Sequence, residues 1–168
     1  MDYRPAVPED LGQLKEMYRE IVRKMDEEGF RIWDEIYPVE FLEGDIADGR
    51  LYLLAENNNI MAAFSLCDSS AGEGVVKWED DHAKALYLDR FGVNVCCLRQ
   101  GVGSLMLKRA KETAKNLGAE YLRLFVVDCN VPAALLYQKN GFAPADGVYH
   151  EVIDNELVLR ELGYEVKV

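Results

Sequence analysis

Histidine is scarce in this chain. Only His82 and His150 occur in 168 residues. Cysteine is sparse as well, and Cys67, Cys96, Cys97 and Cys129 match no zinc spacing. Adjacent Cys96 and Cys97 cannot both enter one tetrahedral site without strain, so the four read as reduced thiols and no metal is expected. Nor does any histidine lie near them in sequence to activate a nucleophile for an acyl-enzyme route. No run of about 18 apolar residues exists, so no membrane span is expected. The start, Met1 to Pro5, lacks the basic and then apolar regions of a signal peptide, and the expected compartment is the cytoplasm. Positive charge is short: 19 Lys and Arg stand against 30 Asp and Glu, a net charge of −11. That disfavours a nucleic-acid surface, which needs clustered cations against phosphates, and it permits cationic substrates.

What remains is an ordinary globular composition, 49% hydrophobic and 29% charged. The length is most simply one domain over 1–168 with a substantial core. Tyr3 to Val7 reads as a first strand. Pro8-Glu9-Asp10 opens a helix, with carboxylates at its positive end. Leu11, Leu14, Tyr18, Ile21, Val22 and Met25 give that helix one buried face, and Gly29 stops it. Pro38 suits the first turn of a second helix, with Phe41, Leu42 and Ile46 inward and an end near Gly49. Strands at 51–55 and 60–66 flank Asn57-Asn58-Asn59, a hairpin signal because Asn tolerates positive φ. The polar stretch 68–84 is expected to be a loop or irregular hairpin around Trp78. Then follow a strand (85–95), a helix (103–117), a strand (121–127), a helix (131–140) and two late strands (148–153 and 157–168). This order, with one βαβ unit in its second half, predicts a mixed sheet with helices on both faces.

Two patterns carry the chemistry. The first is Arg99-Gln100-Gly101-Val102-Gly103-Ser104, between an apolar strand and a helix. A helix start presents unpaired amides and a positive dipole end, and glycines let an anion approach closely. The loop therefore suits a pyrophosphate, with Lys108 and Arg109 one to two turns on as further cations. The P-loop spacing is absent, and Met106 stands where a dinucleotide fingerprint needs its third glycine. The second pattern runs from Asn130 to Phe142. Asn130 suits a helix cap with Pro132 just inside, Tyr137 lies on the helix, and Gly141-Phe142 fits a helix stop followed by a buried aromatic. A charged pair, Asp89-Arg90, also interrupts the apolar strand before the loop. A strand buried on both faces does not carry such a pair unless a site needs it; the other reading is an ion pair.

Strand, glycine loop, helix, strand, Asn, helix, Tyr and Gly-Phe in this order resemble the GNAT superfamily of acetyl-CoA-dependent N-acetyltransferases. The likeness covers nearly the whole length and is most specific over Tyr87–Phe142. The family's Gln/Arg-x-x-Gly-x-Gly/Ala signature aligns with Leu98-Arg99-Gln100-Gly101-Val102-Gly103; its first position is Leu98 here, with the Arg99 cation beside it. The resemblance implies an α/β (α+β) single domain on a mostly antiparallel sheet with a splayed central strand pair, Gly92 lying where the family strand bulges. It implies direct acetyl transfer to a primary amine. Asp89 is then the base, Tyr137 the acid for the departing thiolate, and a backbone N–H near Phe91–Val93 the oxyanion donor. Acetyl-CoA contacts are implied for Phe91, Val93, the amides from Arg99 to Ser104, Asn130 and Lys139. The acceptor, a small-molecule or peptide amine, is expected at Trp33, Asp34, Tyr37, Phe41 and the 68–84 loop with Trp78. A homodimer through the late strands is compatible with the sequence. Two other readings stay open: a non-catalytic acetyl-CoA-binding sensor or interaction domain, and an unrelated α/β nucleotide-binding protein.

Overall fold

The computed structural model describes all residues, Met1–Val168. Eight strands and four helices alternate along the chain: β1 (Asp2–Pro5), α1 (Leu11–Glu27), α2 (Leu42–Ala47), β2 (Leu51–Glu56), β3 (Asn59–Cys67), β4 (Ala85–Val93), α3 (Val102–Asn116), β5 (Tyr121–Val127), α4 (Val131–Lys139), β6 (Ala143–Pro144), β7 (Tyr149–Val152) and β8 (Val158–Lys167). Short 3-10 turns at Pro8–Asp10, Val39–Phe41 and Val95–Cys97 precede α1, α2 and the glycine loop. The strands form one sheet in the order β1-β2-β3-β4-β5-β8-β6, with β7 paired to β8. β1–β2, β2–β3, β5–β8, β6–β8 and β7–β8 pair antiparallel, and β4–β5 pairs parallel. That parallel ladder holds only Ala85↔Tyr121, Leu86↔Leu122 and Tyr87↔Arg123, so the pair separates early, as a splayed strand pair should. No helix is long and apolar enough to cross a membrane.

Internal contacts divide the chain into two compact units. The first comprises Met1–Leu66 and Arg90–Arg109. Its core is built on α1, whose Leu14, Met17, Tyr18, Ile21 and Val22 recur at helical spacing and are buried. They pack with Leu42 and Ile46 of α2 and with Leu51, Leu53, Ile60 and Ala63 of the β2–β3 hairpin. Asn57 and Asn58 make the hairpin turn at φ 50 and 64, and Asn59 already belongs to β3. Pro8 opens a 3-10 turn, and α1 proper begins three residues later, at Leu11. Phe41, expected inward, is 42% exposed.

The second unit comprises Cys67–Asp89 and Ala110–Val168. Val76, Trp78 and Tyr87 form its core cluster with Ala85 and Phe125 packed against them. The 68–84 segment is mostly turns, with one β-bridge, Lys77↔Asp146. A buried ion pair, Arg123 Nε to Glu165 Oε2 at 3.0 Å, joins neighbouring residues of β5 and β8. Its free valences hold the loop. Arg123 Nη2 donates to Asp80 O (2.7 Å), and Glu165 Oε1 accepts from Glu79 N (2.6 Å). The Arg123 guanidinium lies 4.6 Å from the Trp78 ring centroid. The acidic run Glu79-Asp80-Asp81 is thereby anchored by its backbone.

Candidate active site

In the first unit, β4 ends at Val93 and the chain turns through Asn94 into the glycine loop. Asn94 Nδ2 donates to Ile60 O at 2.9 Å, and its Oδ1 accepts from Cys96 N at 3.2 Å. Gln100 Nε2 reaches back to Cys96 O at 2.9 Å. Two residues of the loop take left-handed backbone, Arg99 at φ 61 and Gly101 at φ 82. The loop therefore folds tightly onto the start of α3, whose first turn is closed by Leu105 N to Gly101 O at 3.0 Å. Arg99, Gln100 and Gly101 are exposed, Gly103 and Ser104 half-buried, and Val102 is buried as the anchor. Nothing lies within 4 Å of the Cβ position of Gly101, so the backbone there is open to a ligand. Phe91 and Val93 are half-buried in β4.

Within β4 the left-handed residue is Arg90, at φ 50, not Gly92. The glycine answers a different need. A Cβ there would sit 2.9 Å from Ile21 Cδ1 and 3.0 Å from Tyr18 Cε1. Arg90 pairs with Asp45 of α2 (2.7 Å). An aromatic row, Tyr18, Trp33, Tyr37 and Phe41, runs at centroid spacings of 5.8, 6.3 and 5.5 Å. Asp34 caps the turn inside it, its Oδ1 accepting from the amides of Ile36 and Tyr37.

In the second unit, Asn130 caps α4, its Oδ1 accepting from Ala133 N at 3.3 Å. Tyr137 is the buried residue of α4 (7% exposed), its ring 5.9 Å from that of Phe142. Burial first, and the charge of Asp89 second, push the Tyr137 phenol well above its usual range. The hydroxyl therefore stays protonated at any working pH. Asp89 is half-buried, and Lys139 is exposed. Trp78 is buried, with its indole N–H donated to Glu73 O at 2.9 Å. It lines a cavity of ≈470 Å³ together with Glu73, Lys77, Asp81, Tyr87 and Arg123.

Glu161 was not singled out by any sequence pattern. It lies on β8 opposite Val127 and Tyr149. Its carboxyl is pushed up to about 8 by burial, by a hydrogen bond shared with Glu151, and by the charges of Glu151 and Asp89. The proximity of three acids from β4, β7 and β8 is a property of the sheet and not of any local pattern. The raised value has a sign for stability. The protonated form is favoured in the fold, so the contribution is full below the ordinary value near 4.5 and is lost as pH rises through about 8. Glu161→Gln is therefore expected to lie level with wild type at about pH 5 and to be the more stable protein at about pH 9. Urea midpoints across that range measure it, and a difference independent of pH would count against the raised carboxyl.

The four cysteines are free thiols. Cys96 and Cys97 sulfurs lie 3.5 Å apart. Burial foremost, then the Cys96 contact, pushes the Cys97 thiol up to about 11, which makes it a poor nucleophile. No group of three or more His, Cys, Asp or Glu side chains is arranged to hold a metal ion.

A mixed sheet with an early-parting parallel pair and an anion-ready glycine loop at a helix start defines a recognisable class of α/β protein. The profile of the acetyltransferase (GNAT) family matches residues 14–142, and the chain belongs to that family. Among curated proteins it is 29% identical over 105 residues to YwnH of Bacillus subtilis, provisionally named a phosphinothricin acetyltransferase. The match covers 62% of this chain and 60% of that relative. Solved structures share the fold. A GNAT-family acetyltransferase from Streptococcus agalactiae superposes with a TM-score of 0.78 at 16% identity, covering 99% of this chain and 95% of the other. The yncA protein of Salmonella typhimurium, solved with its cofactor acetyl-CoA, gives 0.71 at 16% identity, covering 99% and 93%.

Proposed function

We propose that the chain, as one acetyltransferase domain over 1–168, moves an acetyl group from acetyl-CoA to a primary amine within a ternary complex. The observation that carries this reading is the glycine loop. Its two left-handed residues, Arg99 and Gly101, lead into a 15-residue helix with open space over Gly101. Such a helix start offers backbone amides and a positive dipole end to a pyrophosphate. This chemistry needs amides and not a particular side chain, so Leu98 at the first signature position is compatible with it.

The thioester supplies an activated acetyl group. The amides from Arg99 to Ser104 hold the pyrophosphate, Asn130 and Lys139 contact the carrier arm, and the backbone of Phe91 and Val93 pairs with its amides. Asp89, directly or through a water, takes the proton that keeps an amine from attacking at neutral pH. A backbone N–H near Phe91–Val93 stabilises the charge that grows on the carbonyl oxygen. Tyr137, held in its O–H form by burial, donates to the sulfur as it leaves. The acceptor is a small-molecule or peptide amine. The name of the relative YwnH specifies one small molecule, phosphinothricin, and the net charge of −11 suits a cationic amine. The free thiols accord with a cytoplasmic setting.

Calorimetric titration with acetyl-CoA, against ATP and NAD, tests the reading. Saturable binding of acetyl-CoA alone is expected, followed by acetylation of members of an amine panel. No binding at millimolar acetyl-CoA would overturn it.

A further inference from the structure

Arginine at φ 50 inside a strand is unusual, because only glycine takes that backbone without strain. At Arg90 the surroundings fix it from every side. Its Nε donates to Asp45 Oδ2 at 2.7 Å, and the side chains of both residues are almost wholly enclosed. Asp45 is held in turn by Arg50 Nε (2.6 Å) and Ser65 Oγ (2.6 Å). The Arg90 guanidinium lies 5.1 Å from the Phe41 ring centroid. Its carbonyl accepts the Tyr18 hydroxyl, and two residues on Gly92 packs against the same Tyr18 ring.

A buried ion pair is a weak source of net stability, since desolvation offsets the attraction; what it can supply is one defined conformation. Strained backbone persists where its surroundings over-determine it, and it collects at functional sites. The strain here falls immediately before Phe91-Gly92-Val93. We propose that Asp45, Arg90 and Tyr18 are positioning residues. Their contacts lock the left-handed kink of β4 and so set the direction in which Phe91 and Val93 present their backbone groups to the acetyl-CoA arm. This inference rests on the acetyl-CoA reading above. None of the three touches substrate in this role.

The test compares Arg90→Ala with Arg90→Gly. Both lose the same guanidinium and leave Asp45 with Arg50 and Ser65. They differ in their ability to take positive φ. A purely structural role predicts equal loss, or a worse glycine, because glycine weakens strands. The positioning role predicts the opposite order. The acetyl-CoA dissociation constant should rise about tenfold in Arg90→Ala and return to within about threefold of wild type in Arg90→Gly. If Arg90→Ala does not fold, Tyr18→Phe takes its place, since it keeps the ring and removes the hydrogen bond to the Arg90 carbonyl. There KM for acetyl-CoA should rise about threefold with kcat within about twofold. Alike Arg90 variants, or an unmoved KM in Tyr18→Phe, overturn the inference while wild-type binding leaves the acetyl-CoA reading standing. A wild-type chain that binds no acetyl-CoA overturns both.

Discussion

Tyr137→Phe is expected to lower the turnover number about a hundredfold and to leave the acetyl-CoA dissociation constant within about twofold of wild type. The substitution removes one oxygen. The ring stays, and with it the contact to Phe142 at a centroid distance of 5.9 Å. Stability should therefore change little, and a fall in turnover reads the hydroxyl alone. Burial of Tyr137, with the charge of Asp89 as the lesser cause, keeps that hydroxyl protonated. The group can thus donate at any working pH, and the alkaline limb of a pH–rate profile belongs to another group. Steady-state kinetics beside calorimetry separate the outcomes. Unchanged turnover would reduce Tyr137 to a packing residue. A parallel loss of turnover, binding and thermal midpoint would do the same by another route.

The elements were largely legible because their signals are local. β5 runs over the same residues, Tyr121–Val127, that its apolar pattern marks out. The helical period of α1 names four of the five residues it buries, Leu14, Tyr18, Ile21 and Val22; Met17 went unmarked, and Leu11 and Met25 are only partly buried. The βαβ unit and the glycine loop appear in order, and the Asn pair makes the turn it was read for. β6 escaped notice because two residues, Ala143 and Pro144, carry no period.

The site was legible in its backbone parts and less so in its side-chain partnerships. A loop that binds through amides advertises itself by glycines and position. An ion pair does not. Arg90 interrupts an apolar strand and so demands an acid, but thirty acids are available and sequence does not say which folds against it. The answer, Asp45, lies 45 residues upstream in a six-residue helix. The resemblance puts the bulge of β4 at Gly92, whereas the left-handed residue is Arg90 and packing against Tyr18 and Ile21 claims the glycine. Trp78 is buried and lines a cavity in the 68–84 segment because Arg123 and Glu165 draw that segment down by its backbone, a partnership that sequence does not announce. The carboxyl cluster at Glu161 likewise depends on strand register.

Asp45→Ala is expected to cost about 3–5 kcal/mol of unfolding free energy, the largest loss of stability from any single change considered. The variant takes the Asp45 carboxylate away from the Arg90 guanidinium, whose side chain is 5% exposed, in a water-poor site. Arg50 marks the contrast. It contacts the same carboxylate, yet its side chain is 39% exposed, so Arg50→Ala should cost at most about 1 kcal/mol. Urea denaturation of both variants, and of Asp45→Ala combined with Arg90→Met, gives the coupling. The double variant should be more stable than Asp45→Ala alone, because the buried guanidinium is removed together with the carboxylate that faces it. Strictly additive losses would mean that the pair is not energetically linked. If the double variant recovers stability and still binds acetyl-CoA poorly, the pair's contribution is to conformation. An apolar substitute can then fill the volume around Arg90 without holding β4 in the geometry that the cofactor needs.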